Sequence, residues 1–182
     1  EYKNRDQYLA ESVAQVDRLA AMVNDVLRSG SVAEQALRQE KRLRVDKLLA
    51  EVVDDYVLLA KTRGMTFEVN TEPTTIRANR DMMRHVISNL VSNAVRHGDA
   101  GSVIKVTCDQ NELAIENACK PLTKQQLQHV FDPFYRNPGG TNQHASSSGI
   151  GLYTVKMLLD AKGLDYDFTP HGQGMRFVVR FG

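Results

Sequence analysis

The sequence predicts an α+β fold, a two-layer α/β sandwich in which a mixed sheet carries helices on one face, preceded by one helix of a bundle. Three observations predict it. Segments with apolar residues three and four apart are interspersed with segments that alternate apolar and polar residues, and the two kinds do not follow a strict βαβ order. From Leu9 to Leu27 the apolar residues keep a regular heptad spacing that a helix lying on a core would not need. Glycines stand where the helical patterns stop.

The heptad segment places Leu9, Val13, Val16, Ala20, Val23 and Leu27 on one stripe. Its regularity favours a helical bundle or coiled coil over an ordinary amphipathic helix. Ser29-Gly30-Ser31 breaks the pattern, and the polar, basic stretch from Gln35 to Arg44 reads as a linker. A division follows, with residues 1–44 as bundle helix plus linker and 45–182 as a second domain. In that domain Leu48, Leu49, Val52, Val53, Tyr56 and Leu59 mark an amphipathic helix ended by Gly64. MTFEVN and TTIRA read as short strands, and Met83, Val86, Ile87, Leu90, Val91 and Ala94 mark a helix from Arg80 to His97 that Gly98 stops. SVIKVTCD and ELAIENA alternate around a Gln110-Asn111 turn and read as a hairpin. A further helix starts near Thr123. The segment Asn137 to Ser148 has no apolar period and much Gly, Ser and Asn, which predicts a mobile loop long enough to act as a lid. A last helix with Leu152, Val155, Leu158 and Leu159 ends at Gly163, and two strands flank HGQG. There is no internal repeat.

With 182 residues, 42% hydrophobic and 25% charged, the composition is that of an ordinary soluble fold. A net charge of +1 gives no general reason to expect nucleic acid as a partner, so any phosphate site must be local. Cys108 and Cys119 lack metal-ligand spacing and are too few for a disulfide framework, which points to a reducing compartment, the cytosol by default. No stretch approaches the ~18 apolar residues that span a bilayer. The chain opens at Glu1, not at methionine, and reads as a piece of a longer protein.

Three stretches carry chemistry. In HVISNLVSNAVRH, Asn89, Asn93, Arg96 and His97 share one side of a helix whose other side is apolar. Two amides one turn apart could hold hydrated Mg²⁺ and phosphate oxygens, or could simply be a solvated polar face. SSSGIGLYTVKML opens a helix with Gly149-Ile150-Gly151, letting backbone N–H groups approach phosphate where the helix dipole adds about half a positive charge. It is neither a dinucleotide-binding fingerprint nor a Walker loop, lacking a preceding strand and third glycine for the one and a Gly-Lys-Ser/Thr for the other. VFDPFYR interleaves Phe131, Phe134 and Tyr135 with Arg136, either as core anchors beside a surface arginine or as a phosphate-facing edge.

Taken in order, these motifs resemble the histidine-kinase branch of the GHKL ATPases, whose domain is the Bergerat ATP-binding fold. NLVSNAVRH resembles the N-box, VFDPFYR the F-box and GIGL the second glycine box, while IENACKPL sits where the first glycine box belongs. YLAESVAQVDRLAAMVNDVL resembles the second helix of the dimerisation and histidine-phosphotransfer hairpin. The resemblance implies ATP and Mg²⁺ as ligands, with Asn93 on the metal and Asn89 near the phosphates. It also implies Arg96 reaching phosphate, His97 beside the nucleotide and Arg136 steering the γ-phosphate. Gly149, Ile150 and Gly151 would line the phosphates, Leu152 the adenine pocket, and Asn117 would accept a hydrogen bond from the adenine amino group. Catalysis would rest with Asn89, Arg96 and Arg136.

The resemblance further implies a homodimer through the bundle helix, a response-regulator receiver domain as partner, and the cytoplasmic portion of an integral membrane sensor. Two departures stand out. Asn117, Cys119 and Pro121 occupy the places of Asp-x-Gly-x-Gly, and Met175 stands where Ser or Thr is common, which points to weak adenine recognition. None of His85, His97, His129, His144 or His171 lies in a His-Glu-x-x-x-Pro context, so the phosphoacceptor is expected on a preceding helix and the chain alone is expected not to phosphorylate itself. The alternatives are a degenerate nucleotide-binding or dimerising module and a GHKL-type ATPase, although Asn89 cannot activate water as a Glu there would.

Overall fold

A computed structural model describes residues 40–136 and 149–182. The expected bundle helix and the Asn137–Ser148 segment lie outside the described residues.

The strand β1 (Lys41–Arg44) pairs antiparallel with β3 (Thr75–Ala78), Leu43 opposite Ile76. Lys41–Arg44, read as the end of the linker, are therefore strand. Leu43, buried in the core, is the single apolar residue of KRLR, too little to show alternation. The helix α1 (Val45–Thr62) follows directly. The Arg44 guanidinium donates to both carboxylate oxygens of Asp46 at 2.8 and 2.6 Å, and Thr74 N donates to the same carboxylate at 3.1 Å. Those donors hold the Asp46 carboxyl down at about 2, Arg44 contributing most.

Next come β2 (Thr66–Thr71), α2 (Arg80–His97), β4 (Val103–Cys108), β5 (Glu112–Ala118), α3 (Lys124–His129), α4 (Gly151–Lys162), β6 (Tyr166–His171) and β7 (Gly174–Arg180). Five strands form one sheet in the order β2-β4-β5-β7-β6. The β2–β4 pair is parallel and the others antiparallel, giving the mixed sheet expected. On β4, Ile104, Val106 and Cys108 are buried while Val103, Lys105 and Thr107 are exposed, the period of two that one covered face requires. The side chains buried with them come from α1, α2 and α4: Leu48, Leu49 and Val52; Val86, Ile87 and Val91; and Val155, Leu158 and Leu159. Leu59, counted in the apolar stripe of α1, is instead 43% exposed, and Leu58 beside it 76%. The uncovered face carries ion pairs, Arg176 with Glu112 at 2.7 Å and Arg180 with Asp167 at 2.6 Å.

The helix α2 is closed at both ends. Asn79 accepts from the N–H groups of Asp81 and Met82, satisfying donors that the helix leaves open. At its C-terminus the Arg63 guanidinium donates to Val95 O and, at 2.9 Å, to Gly98 O. Gly98 leaves no room for a side chain, because a Cβ would come 2.6 Å from Ala94 O. The chain thus turns sharply, and Asp99 N donates to Ala118 O at 2.8 Å, tying the end of α2 to the end of β5. Thr123 and Gln126 form a reciprocal cap on α3. Lys162, in the last turn of α4, pairs with Glu40 at 2.6 Å.

Candidate functional site

The apolar stripe of α2 turns its opposite side, with Asn89 and Asn93, toward the first residue of α4. Both asparagines are half-buried. Asn89 Nδ2 donates to His85 O at 3.0 Å, which fixes its carboxamide. A Cβ placed on Gly151 would lie 3.1 Å from Asn89 Oδ1 and 3.9 Å from Asn93 Oδ1. Two amide oxygens thus face a helix N-terminus across a gap that a glycine keeps open. No side chain caps that terminus, where Ile150 is the N-cap residue, so its leading N–H groups have no partner of that kind. Together these groups offer N–H donors to an anion and neutral oxygens to a cation.

Gly149 forms the second part of the cradle. It adopts φ +72°, and Phe134, unusually for a non-glycine, adopts φ +66°. Phe134 N donates to Gly149 O at 3.1 Å, and a Cβ on Gly149 would stand 2.9 Å from the Phe134 carbonyl carbon. The left-handed conformation of Phe134 costs on the order of 1 kcal/mol. Phe131, three residues earlier, meets Tyr166 edge-on with ring centroids 5.6 Å apart, and Tyr166 stacks on Phe177 at 6.0 Å. Of the VFDPFYR motif, Phe131 is therefore a core anchor, whereas Phe134 is 53% exposed and holds the glycine turn by its backbone. Arg136 is exposed at the end of this described segment.

Arg96 and His97 occupy the last turn of α2, both exposed. Although His97 is exposed as a residue, partial desolvation of its ring lowers the pKa, and the charges of Arg96 and then Arg63 push the same way. An uncharged imidazole at neutral pH follows. Arg63 drew no notice in the sequence, where it is one basic residue before Gly64; its role as C-terminal cap of α2 depends on contacts more than thirty residues away.

Asn117 stands near the end of β5, half-buried on the helix-facing side, with Met175 opposite it on β7. Met175 Sδ accepts from Leu122 N at 3.4 Å. Gly174 is required here: a Cβ would come 2.1 Å from Asn117 O. Cys119 follows, its thiol pKa raised chiefly by desolvation, so it stays a neutral thiol. Leu152 packs partly buried against the core and Ile150 is fully buried. An open hollow of about 320 Å³ lined by Asn70, Thr71, Glu72, Thr107, Cys108 and Asp109 lies at the other end of the sheet, away from all of these groups. Among the described residues no three His, Cys, Asp or Glu side chains gather as a metal cage. The Asn93 carboxamide offers one neutral oxygen of the kind that a hydrated Mg²⁺ would accept as a ligand.

The class of domain that accounts for this fold and its two facing motifs is an ATPase-type domain. A family model described as histidine kinase-, DNA gyrase B-, and HSP90-like ATPase matches residues 78–182, and the chain belongs to that family. Within it the chain is similar to sensor histidine kinases. It is 32% identical to the sensor histidine protein kinase HK06 of Streptococcus pneumoniae, over 98% of this chain and 40% of that protein. It is 29% identical to the sensor histidine kinase CusS of Escherichia coli, over 97% of this chain and 38% of that one. The chain thus spans about 40% of the length of the curated relatives it matches. Among solved structures, the Acinetobacter baumannii histidine kinase AdeS has the same fold with a TM-score of 0.72 at 20% identity, covering 93% of this chain and 81% of that one. The histidine kinase ThkA, solved in complex with the response regulator protein TrrA, aligns with a TM-score of 0.68 at 19% identity, over 92% of this chain and 48% of that one.

Proposed function

We propose that this chain supplies the Mg-ATP half of a sensor histidine kinase, delivering the γ-phosphate to a histidine on a helical bundle for relay to a response-regulator aspartate. The observation that carries the reading is the convergence of Asn89 Oδ1 and Asn93 Oδ1 on Gly151, at a helix start that no side chain caps. The relatives named sensor kinases support the activity, and the complex of a kinase of the same fold with a response regulator supports the partner.

The chain's own residues divide the work. Gly149, Ile150 and Gly151 present backbone N–H groups to phosphate, and Arg96 and Arg136 bring positive charge. Asn93 offers its Oδ1 to Mg²⁺, which when bound would neutralise phosphate charge. Asn89 orients phosphate but, being an amide, accepts no proton from water, so hydrolysis has no general base at that position. Transfer to a nucleophile from outside the domain is then the productive outcome, and the protein's contribution is positioning and charge neutralisation. Asn117, with Leu152, receives the base. The proposed arrangement is a homodimer through the bundle helix, with the described domain on the cytoplasmic side of a membrane sensor.

Labelled ATP tests this. Mixed with a histidine-bearing bundle hairpin or in the longer protein, the chain should yield an acid-labile, base-stable phosphoprotein. Acid-stable label on the chain alone, or steady phosphate release without a histidine acceptor, would overturn the kinase reading. Absence of Mg-ATP binding would mark a degenerate module.

A further inference from the structure

The base-receiving end of the site ends in an amide where a carboxylate would accept hydrogen bonds only. Asn117 is firmly placed. Its carbonyl fits against Gly174, and the next residue, Ala118, accepts Asp99 N at 2.8 Å. Its carboxamide, by contrast, has weak partners. Nδ2 lies 3.5 Å from Ala118 O, at the outer limit of a hydrogen bond, and the other neighbour is the Cys119 thiol, a poor donor and acceptor. The wall across from it is the Met175 thioether, already committed to Leu122 N. Neither contact holds the carboxamide firmly, so a ligand that bonds it better can take it in either of its two orientations.

The two purine classes present opposite patterns at one edge. Adenine offers an N–H donor at C6 beside the N1 acceptor. Guanine and hypoxanthine offer an acceptor at C6 beside an N1–H donor. With the base held in one pose, a carboxylate meets the first with one good hydrogen bond and faces the O6 lone pairs of the second. That contact is repulsive and is the kind by which a site rejects a near-isostere. An amide pairs with either, because rotating the terminal torsion of Asn by half a turn exchanges donor and acceptor at little cost.

We propose that Asn117 makes this site a purine reader with little choice between adenine and 6-oxopurine nucleotides, so that Mg-GTP and Mg-ITP enter it alongside Mg-ATP. The inference rests on the reading of Asn117 as the base-contacting residue of a nucleotide site. Displacement of a fluorescent ATP analogue from the 182-residue chain in Mg²⁺ measures it, with ATP, GTP, ITP and CTP as competitors. GTP and ITP should bind within about tenfold of ATP, and CTP, which cannot fill a purine pocket, should bind more weakly than all three. Asn117→Asp, nearly the same size, should shift the ratio of GTP to ATP affinity at least about tenfold toward ATP. A preference for ATP over GTP above tenfold in the unaltered chain overturns the proposal, as does a smaller shift in the Asp variant. If Mg-ATP itself does not displace the probe, the nucleotide-site reading fails and this one with it. If ATP binds but the ratio is steep or unmoved, this one fails alone.

Discussion

Replacing Gly151 by alanine puts a methyl group into the gap between the two asparagines. The fold should tolerate it. Gly151 is helical, not left-handed, and alanine in a helix is favoured over glycine by about 0.5–1 kcal/mol. Against this, the new Cβ lies 3.1 Å from Asn89 Oδ1, close enough that the carboxamide must yield by a few tenths of an ångström. Its 3.0 Å bond to His85 O, worth about 1 kcal/mol, is strained in doing so. The two effects nearly offset, so the thermal midpoint should stay within about 4 °C of the parent. Nucleotide affinity has no such compensation. The methyl covers the first N–H groups of α4 and turns Asn89 away, so Mg-ATP should bind at least about tenfold more weakly, a loss of about 1.4 kcal/mol. Calorimetric titration beside a melting curve reads both quantities. Unchanged affinity at an unchanged midpoint would show that phosphate does not pass between Gly151 and Asn89, and would sink the assignment of the site.

Asn93→Ala should abolish most of the Mg²⁺-dependent part of ATP affinity while the circular dichroism stays that of the parent; equal losses with and without Mg²⁺ would argue against a metal role. Arg96→Ala should weaken ATP more than adenosine, measured by competition, and equal effects would point to a structural residue. Gly174→Ala should destabilise the fold by about 3 kcal/mol or more in denaturant unfolding, since its Cβ meets Asn117 O at 2.1 Å and backbone cannot step aside. Asp46→Asn tests the tie between β1, α1 and β3. Because the folded carboxyl titrates at about 2 and not at 3.8, its stabilisation is whole above 3.8 and disappears as pH falls through about 2. With allowance for the solvent exposure of Arg44, the variant should lose about 1–2 kcal/mol at pH 7 and only a small part of that at pH 2, and an equal deficit at both would refute the ion-pair account.

The three long helices and the two hairpins could be read from period, because each helix has four or more apolar residues in register with its geometry and each hairpin two strand-like runs around a turn, whereas α3, with one apolar residue in KQQLQH, shows no period. Asn89, Asn93 and Gly151 could be picked out as residues of the right kind, in an order that resembles a family. That their atoms meet could not, since the meeting depends on how α2 packs against α4. The strand β1 was missed because one buried leucine makes no pattern, and Leu59 was misplaced because helical spacing shows a stripe but not how far along it the core extends. Phe134 gave no sign of its left-handed backbone: it is neither Gly nor Asn, and its hydrogen bond to Gly149 O joins residues fifteen apart in sequence. Lid and bundle helix remain expectations, as both fall outside residues 40–136 and 149–182.

The sheet order has a consequence for how the site comes into being. The strands β4 and β5 are joined by a tight turn, as are β6 and β7, and such hairpins form in about 1–10 μs. The ladder between β5 and β7 joins residues far apart in sequence and must wait for the intervening chain, α4 included, to be drawn in. Asn117 and Met175 face each other across this seam, each on a separately nucleated unit. The end of the domain proposed to read the base is therefore assembled through long-range strand pairing, a slow class of contact. A substitution that weakens the seam should lengthen the time a newly made chain takes to become able to bind nucleotide, even where the affinity finally reached is unaltered.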